Sequence, residues 1–226
     1  MCEVNERKGK NGMKKKLVIL DFDGTLGDTA GVILKTMQAT IRELGLPERT
    51  DGQCASMIGL RLDEIPAVLF PECSGLEGVF AETYRRLFYT FDSKDAVKLY
   101  PGVASTLECL AEKGHVLTIA SSRSRASLVR YVNDLGLAPL FGLILGADDV
   151  EHAKPDPEPV LKTLEHFGRN PEDALVVGDA PYDILMGRRA GVATCGVTYG
   201  NGSVESLQEA GADFVIDNFP ALLNLV

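Results

Sequence analysis

Two carboxylates, Asp21 and Asp23, stand one residue apart at the end of an apolar run, in the segment Leu17-Val-Ile-Leu-Asp21-Phe-Asp23-Gly24-Thr25-Leu26. Four aliphatic residues following three lysines read as a buried strand, and Gly24-Thr25 marks its stop. An unpaired carboxylate is costly in such a strand. Two of them at its carboxyl end therefore point to a cation site, to proton chemistry, or to both. In open α/β sheets that edge is where ligands bind. Taken alone, Asp-x-Asp-Gly is equally consistent with a turn carrying two solvated aspartates.

Three further groups of polar residues fall at the ends of predicted strands. Ser121-Ser122-Arg123 offers hydroxyls and backbone amides at a strand-to-helix turn, a seat for an oxyanion or phosphate. Such serines also serve as plain helix N-caps. In Lys154-Pro155-Asp156-Pro157 the prolines fix a lysine in a rigid loop just before a helix. Gly178-Asp179-Ala180-Pro181-Tyr182-Asp183 follows the apolar Ala174–Val177 and places one acid at a strand tip and another a turn later. A helix N-terminus favours acids in any case, which is the structural alternative for Asp183. Each group is weak alone; their order and their common edge make a shared site the better reading.

The elements that must carry these residues alternate. Helices are predicted over 103–113, 124–135, 156–167, 181–190 and 203–210, with a closing helical turn at 219–223. Strands are predicted over 115–120, 143–145, 174–177, 192–197 and 214–216. Alternation of this kind specifies βαβ units and a parallel, doubly wound sheet of Rossmann-like type. Residues 28–95 interrupt it. Ile33, Met37, Ile41 and Leu44 recur at helical spacing up to Gly45, and helices are also predicted over 62–70, where Pro66 is a poor fit, and over 76–91. An all-helical block is thus inserted after the first strand.

Bulk properties narrow the class. The chain has 226 residues, 45% hydrophobic and 24% charged, as expected for an ordinary globular protein. Its 23 basic and 32 acidic residues give a formal charge of −9, which argues against a nucleic-acid partner. The five cysteines are widely spaced with no Cys-x-x-Cys pair, so neither a disulfide framework nor a zinc site is expected. No stretch has the length of a membrane span, so no membrane partner is expected. Residues 1–15 read as a disordered polar leader within which Met13 is an alternative start, and a cytoplasmic location is expected.

Asp21-Phe-Asp23-Gly-Thr25, then Ser121, then Lys154-Pro155, then Gly178-Asp179-x-x-x-Asp183 resembles the four-motif signature of the haloacid dehalogenase superfamily, in family order from Lys16 onward. The opening Asp23-Gly-Thr-Leu-Gly-Asp28-Thr29-Ala30 and the later Gly59-Leu60-Arg61-Leu62 resemble its phosphoglycolate phosphatase-like branch. The resemblance implies an α/β core over 16–27 and 96–226 and a helical cap over 28–95. It also implies a phosphatase in which Asp21 is the nucleophile and Asp23 the general acid and then base, a role their spacing along one face suits. Mg²⁺ would be held by Asp21, the backbone carbonyl of Asp23 and Asp179, with Asp183 orienting these groups. Ser121, Ser122 and Lys154 would hold the phosphoryl oxygens. Arg61 and Arg123 would contact the leaving group, although Arg61 is equally readable as a solvated surface residue.

The substrate expected from the branch is 2-phosphoglycolate, among small phosphorylated metabolites that include pyrophosphate. Ser122 stands where the branch usually has Asn, which leaves other substrates open. A β-phosphoglucomutase-like phosphomutase is the nearest rival. It is disfavoured because Thr25 and Ile33 stand where that group has Val and a hinge histidine, and because His115, His152 and His166 all lie outside the inserted block. A non-catalytic phosphate-binding protein is a remote alternative, since every motif residue is intact. Monomer and homodimer remain equally open.

Overall fold

The computed structural model describes residues 16–92 and 97–226. The expected leader, with Met13, and the expected boundary near residue 95 lie outside the described residues. The chain opens with β1 (Leu17–Leu20) and a two-residue strand β2 (Gly27–Asp28). Four helices follow, α1 (Ala30–Glu43), α2 (Asp51–Ala55), α3 (Ile65–Leu69) and α4 (Glu77–Phe91), and then β3 (Lys98–Leu99). Next come α5 (Val103–Glu112), β4 (Val116–Ala120), α6 (Arg125–Asp134), β5 (Phe141–Leu145) and α7 (Glu158–Phe167). The chain ends with β6 (Ala174–Gly178), α8 (Pro181–Arg189), β7 (Ala193–Val197), α9 (Val204–Glu209), β8 (Phe214–Ile216) and a 3₁₀ turn over Phe219–Asn224.

Six strands form one parallel sheet in the order β5-β4-β1-β6-β7-β8, so β1 lies between β4 and β6. Helices cover both faces, which is why β1, β4 and β6 read as continuous apolar runs. Alternation along β1 sorts its side chains. Val18 and Leu20 join a core with Leu107 and Leu110 of α5, Leu128 and Val132 of α6, and Phe219. Leu17 and Ile19 join Val160 and Leu164 of α7 and Met186 of α8 on the other face.

The inserted helices carry their own apolar seam. Ile33, Met37 and Ile41 of α1 are buried, and α1 packs along α4. On α4 the i, i+4 series Phe80, Tyr84, Phe88 stacks at ring separations of 6.5 and 5.9 Å, and Phe80 also meets Phe70 at 6.2 Å. Full burial of a ring such as Phe80 contributes about 1.5–3 kcal/mol. Four short elements differ from the sequence reading. The helix predicted over 62–70 is confined to Ile65–Leu69, because Pro66 sits in its first turn, where no amide donor is needed. The short α2 was not predicted; it is set by a capping box between Thr50 and Gln53 rather than by apolar periodicity. The antiparallel pair β2–β3, also unpredicted, clasps the segments entering and leaving the helical block. Among the described residues no helix is long and apolar enough to cross a membrane.

Candidate active site

Three neighbouring strands, β4, β1 and β6, end at one edge of the sheet and deliver Ser121, Asp21 and Asp179 in turn. Backbone bonds that prolong the ladder fix two of them: Asp21 N–H donates to Val177 O at 2.9 Å and Ser121 N–H to Leu145 O at 3.1 Å. Lys154 arrives from the loop before α7 and Asp183 from the first turn of α8. Lys154 Nζ donates to Asp21 Oδ1 and to Asp183 Oδ1, each at 2.5 Å, and all three side chains are buried. Asp183 Oδ2 accepts the Ala180 N–H at 3.1 Å.

Asp179 is held from two loops. Thr25 Oγ1 donates to its Oδ1 at 3.2 Å, and the backbone N–H and Nδ2 of Asn201 donate to its Oδ2 at 2.6 and 2.8 Å. Gly24, at φ +88°, closes the turn after β1 so tightly that a Cβ there would lie 2.1 Å from Asp179 Oδ2. Asn201 was not read as a site residue from sequence. Its signal was the Gly200-Asn201-Gly202 turn following β7, a fourth strand tip at the same edge.

Asp21, Asp179 and Asp183 each present a carboxylate oxygen within 4.8 Å of the others. Three buried acids against the single buried ammonium of Lys154 leave formally two negative charges in the cluster. Burial, only partly offset by Lys154, pushes the Asp21 carboxyl well above the usual carboxylate range. Burial and then the Asp183 charge push Asp179 up to about 7, against the hydrogen bonds of Asn201. Burial alone would depress Lys154, but Asp183 and Asp21 outweigh it and hold the ammonium above its ordinary range. An all-oxygen donor set with an excess of negative charge fits a hard divalent cation such as Mg²⁺.

Asp23 leaves this cluster for a different cation. The strand ends at Leu20, and Asp23 lies in the turn beyond it, where Arg123 Nη2 and Nε donate to its two oxygens at 2.6 and 3.1 Å. Arg123 Nη1 also reaches Ser127 Oγ at 3.1 Å, and the guanidinium lies 5.0 Å from the ring centres of both Phe88 and Tyr131. Asp21 and Asp23 nevertheless line one cavity.

The remaining predicted residues border that cavity. Ser121 Oγ accepts the Arg123 N–H at 3.3 Å. Ser122 Oγ donates to Gly59 O at 2.6 Å, which ties the core to the helical block. Arg61 donates from Nε and Nη2 to the two oxygens of Asp63, at 3.1 Å each, and from Nη1 to Glu151 O at 3.2 Å. The cavity, about 400 Å³, lies between the strand tips and α1–α4. It has Asp21, Asp23, Ser121 and Ser122 on its core side and, facing them, apolar residues together with Arg61, Asp63 and Arg85.

A sequence model described as haloacid dehalogenase-like hydrolase matches residues 18–197. A phosphoglycolate phosphatase from Aquifex aeolicus is 36% identical over 188 residues, covering 82% of this chain and 85% of the relative. A pyrophosphatase PpaX from Halalkalibacterium halodurans is 32% identical over 214 residues, covering 95% and 98%. A crystal structure of a Bacteroides fragilis protein assigned to the haloacid dehalogenase-like hydrolases superimposes with a TM-score of 0.87 at 27% identity, covering 92% of this chain and all of that one.

Proposed function

The chain belongs to the haloacid dehalogenase-like hydrolases, and we propose that it is a Mg²⁺-dependent phosphatase that hydrolyses the phosphate monoester of a small metabolite through a phosphorylated Asp21. One observation carries the reading: a buried carboxylate, Asp21, on the wall of a cavity, gripped by Lys154 and surrounded by further acids. Relatives named as phosphatases support it. In this reading residues 28–95 act as a cap over a core of 16–27 and 96–226.

Phosphoryl transfer asks the protein for an in-line nucleophile, compensation of phosphate charge and a proton for the leaving oxygen. An Asp21 carboxylate oxygen attacks phosphorus, the bond from phosphorus to the alcohol oxygen breaks, and Asp23 gives that oxygen its proton. Asp23 then takes a proton from water, which attacks the same phosphorus and frees Asp21 and inorganic phosphate. Both Asp23 oxygens accept from Arg123, so the acid role requires this pair to part and leave one oxygen for the transferable proton. Lys154 and Ser121 hold phosphoryl oxygens, with the backbone N–H of Ser122 beside them. Asp21, Asp179 and the backbone carbonyl of Asp23 would hold Mg²⁺, which when bound supplies positive charge to the phosphate; Asp183 keeps Lys154 in place.

The Aquifex aeolicus relative makes 2-phosphoglycolate the first compound to assay, and the PpaX relative makes pyrophosphate the second. The test is phosphate release from a panel of phosphorylated metabolites with Mg²⁺ and with EDTA, and Asp21→Asn as the blank. We expect release that chelation abolishes, that Mg²⁺ restores, and that falls by several orders of magnitude in Asp21→Asn with folding intact. Turnover surviving full chelation removes the metal assignment, and an active Asp21→Asn removes the nucleophile.

A further inference from the structure

Asp23 has to hand a proton to the leaving oxygen, yet both of its own oxygens accept from Arg123, at 2.6 and 3.1 Å. The pair is nearly closed to solvent, with side-chain exposures of 10% for Arg123 and 12% for Asp23. We propose that this ion pair is a lock on the acid that the substrate opens: the alcohol to be released carries an oxyanion, such as a carboxylate, that takes Arg123 and frees Asp23. The proposal rests on the phosphatase reading and adds to it how the leaving group controls its own proton transfer.

Arg123 cannot part from Asp23 without another acceptor. Its Nη1 is held by Ser127 Oγ at 3.1 Å, and its guanidinium lies 5.0 Å from the ring centres of Phe88 and Tyr131. Tyr131 is itself pinned, its ring stacked on Phe22 at 5.6 Å and its hydroxyl donating to Asp92 Oδ1 at 2.5 Å. A guanidinium drawn off its carboxylate in such surroundings keeps its charge, and a shielded cation left unpaired is costly. The other carboxylates on the cavity wall are engaged: Asp21 with Lys154, Asp63 through both oxygens with Arg61, and Asp148 with the Arg125 N–H. The replacement oxygen therefore comes from the ligand. Lys154, Ser121 and the Ser122 N–H are assigned to the transferring phosphate, which leaves the alcohol to supply it. An anion on the alcohol also finds positive charge on the facing wall. Arg85 of α4 lines it and, among the described residues, has no hydrogen bond or ion pair.

As the bond from phosphorus to alcohol oxygen breaks, that oxygen takes the Asp23 proton, and Asp23 regains one from the water that attacks the phosphorylated Asp21. The experiment measures kcat and KM with Mg²⁺ for 2-phosphoglycolate and 3-(phosphonooxy)propanoate, each against its carboxamide, with Asp21→Asn subtracted. General acid catalysis contributes about 10²–10⁴-fold, so kcat for each carboxylate is expected to exceed that of its amide by about tenfold or more. Arg123→Met, which leaves Asp23 unlocked, should raise kcat for the amides by about fivefold or more, a gain that a residue merely shaping the loop would not give. Equal kcat within the pairs, the result if the transferring phosphate itself takes Arg123, overturns the lock and leaves the phosphatase reading standing. A difference confined to KM does the same, as does a folded Arg123→Met that is no faster on the amides. Absence of Asp21-dependent release from every compound overturns both. The wild-type pairs decide the matter even where Arg123→Met does not fold.

Discussion

Replacing Asp179 by Asn should make the metal-free protein more stable while making it indifferent to Mg²⁺. Asp179 is 1% exposed, and its carboxyl is pushed from 3.8 up to about 7, first by burial and then by Asp183. The folded chain therefore keeps this proton more tightly than the unfolded chain. Stability from the neutral carboxyl is fully present below about pH 4 and drains away as pH rises through about 7. That rise of about three pH units, at about 1.4 kcal/mol each, amounts to on the order of 4 kcal/mol lost by pH 8. An Asn amide can accept from Asn201 with its oxygen and donate to the Thr25 hydroxyl, so the hydrogen-bonding site is kept without the charge. For a chain of this size the gain corresponds to a Tm roughly 8–16 °C above wild type in EDTA at pH 8, and near zero at pH 4. The assay is calorimetry from pH 4 to pH 8, with EDTA and with Mg²⁺. The wild type should be raised by about 2.7 kcal/mol when Mg²⁺ is at a hundred times its Kd, and Asp179→Asn should not respond. A variant less stable than wild type in EDTA at pH 8 refutes the claim that a buried, charged Asp179 destabilises the metal-free fold.

Lys154→Met strips Asp21 and Asp183 of their shared ammonium. Leaving buried charge uncompensated costs about 3–5 kcal/mol, so Tm should fall by roughly 6–20 °C; a fall of under 2 °C in a thermal melt would show that the cluster does not depend on this lysine. Asn201→Ala removes one of the donors to Asp179 Oδ2 and should weaken Mg²⁺ binding roughly 10–100-fold with kcat at saturating metal nearly preserved. A Mg²⁺ titration of Tm measures this, and an unchanged Kd argues that the backbone N–H of Asn201 suffices.

The parts of the fold written in local pattern were legible. β1 ends at Leu20, and β6 begins at Ala174, as the aliphatic runs require. The helices after residue 98 fall within two residues of their predicted ends, because apolar spacing and Gly or Pro punctuation mark them directly. Elements without a period were missed. The strands Gly27–Asp28 and Lys98–Leu99 are two residues each and exist only because distant segments meet. For α2, Thr50 and Gln53 carry a capping signal that is visible in the sequence, but its five residues bury only Cys54.

By itself the sequence determined which side chains stand at the strand tips. A buried parallel strand must end in a loop at the sheet edge, so Asp21, Ser121 and Asp179 were bound to meet once the alternation of strands and helices was read. Only the tertiary structure decided who partners whom. Lys154 reaches Asp21 across 133 residues, Arg123 reaches Asp23 across 100, and Thr25 reaches Asp179 across 154. No local pattern distinguishes an arginine free to meet substrate from one already spent on an acid, because the difference is a matter of distance in space. The polarity of the cavity is likewise a property of assembly. Ile33, Ile58, Ile65 and Phe88 each read as ordinary core residues in their own helices or turns, and they become one wall only when those segments pack over the same strand tips.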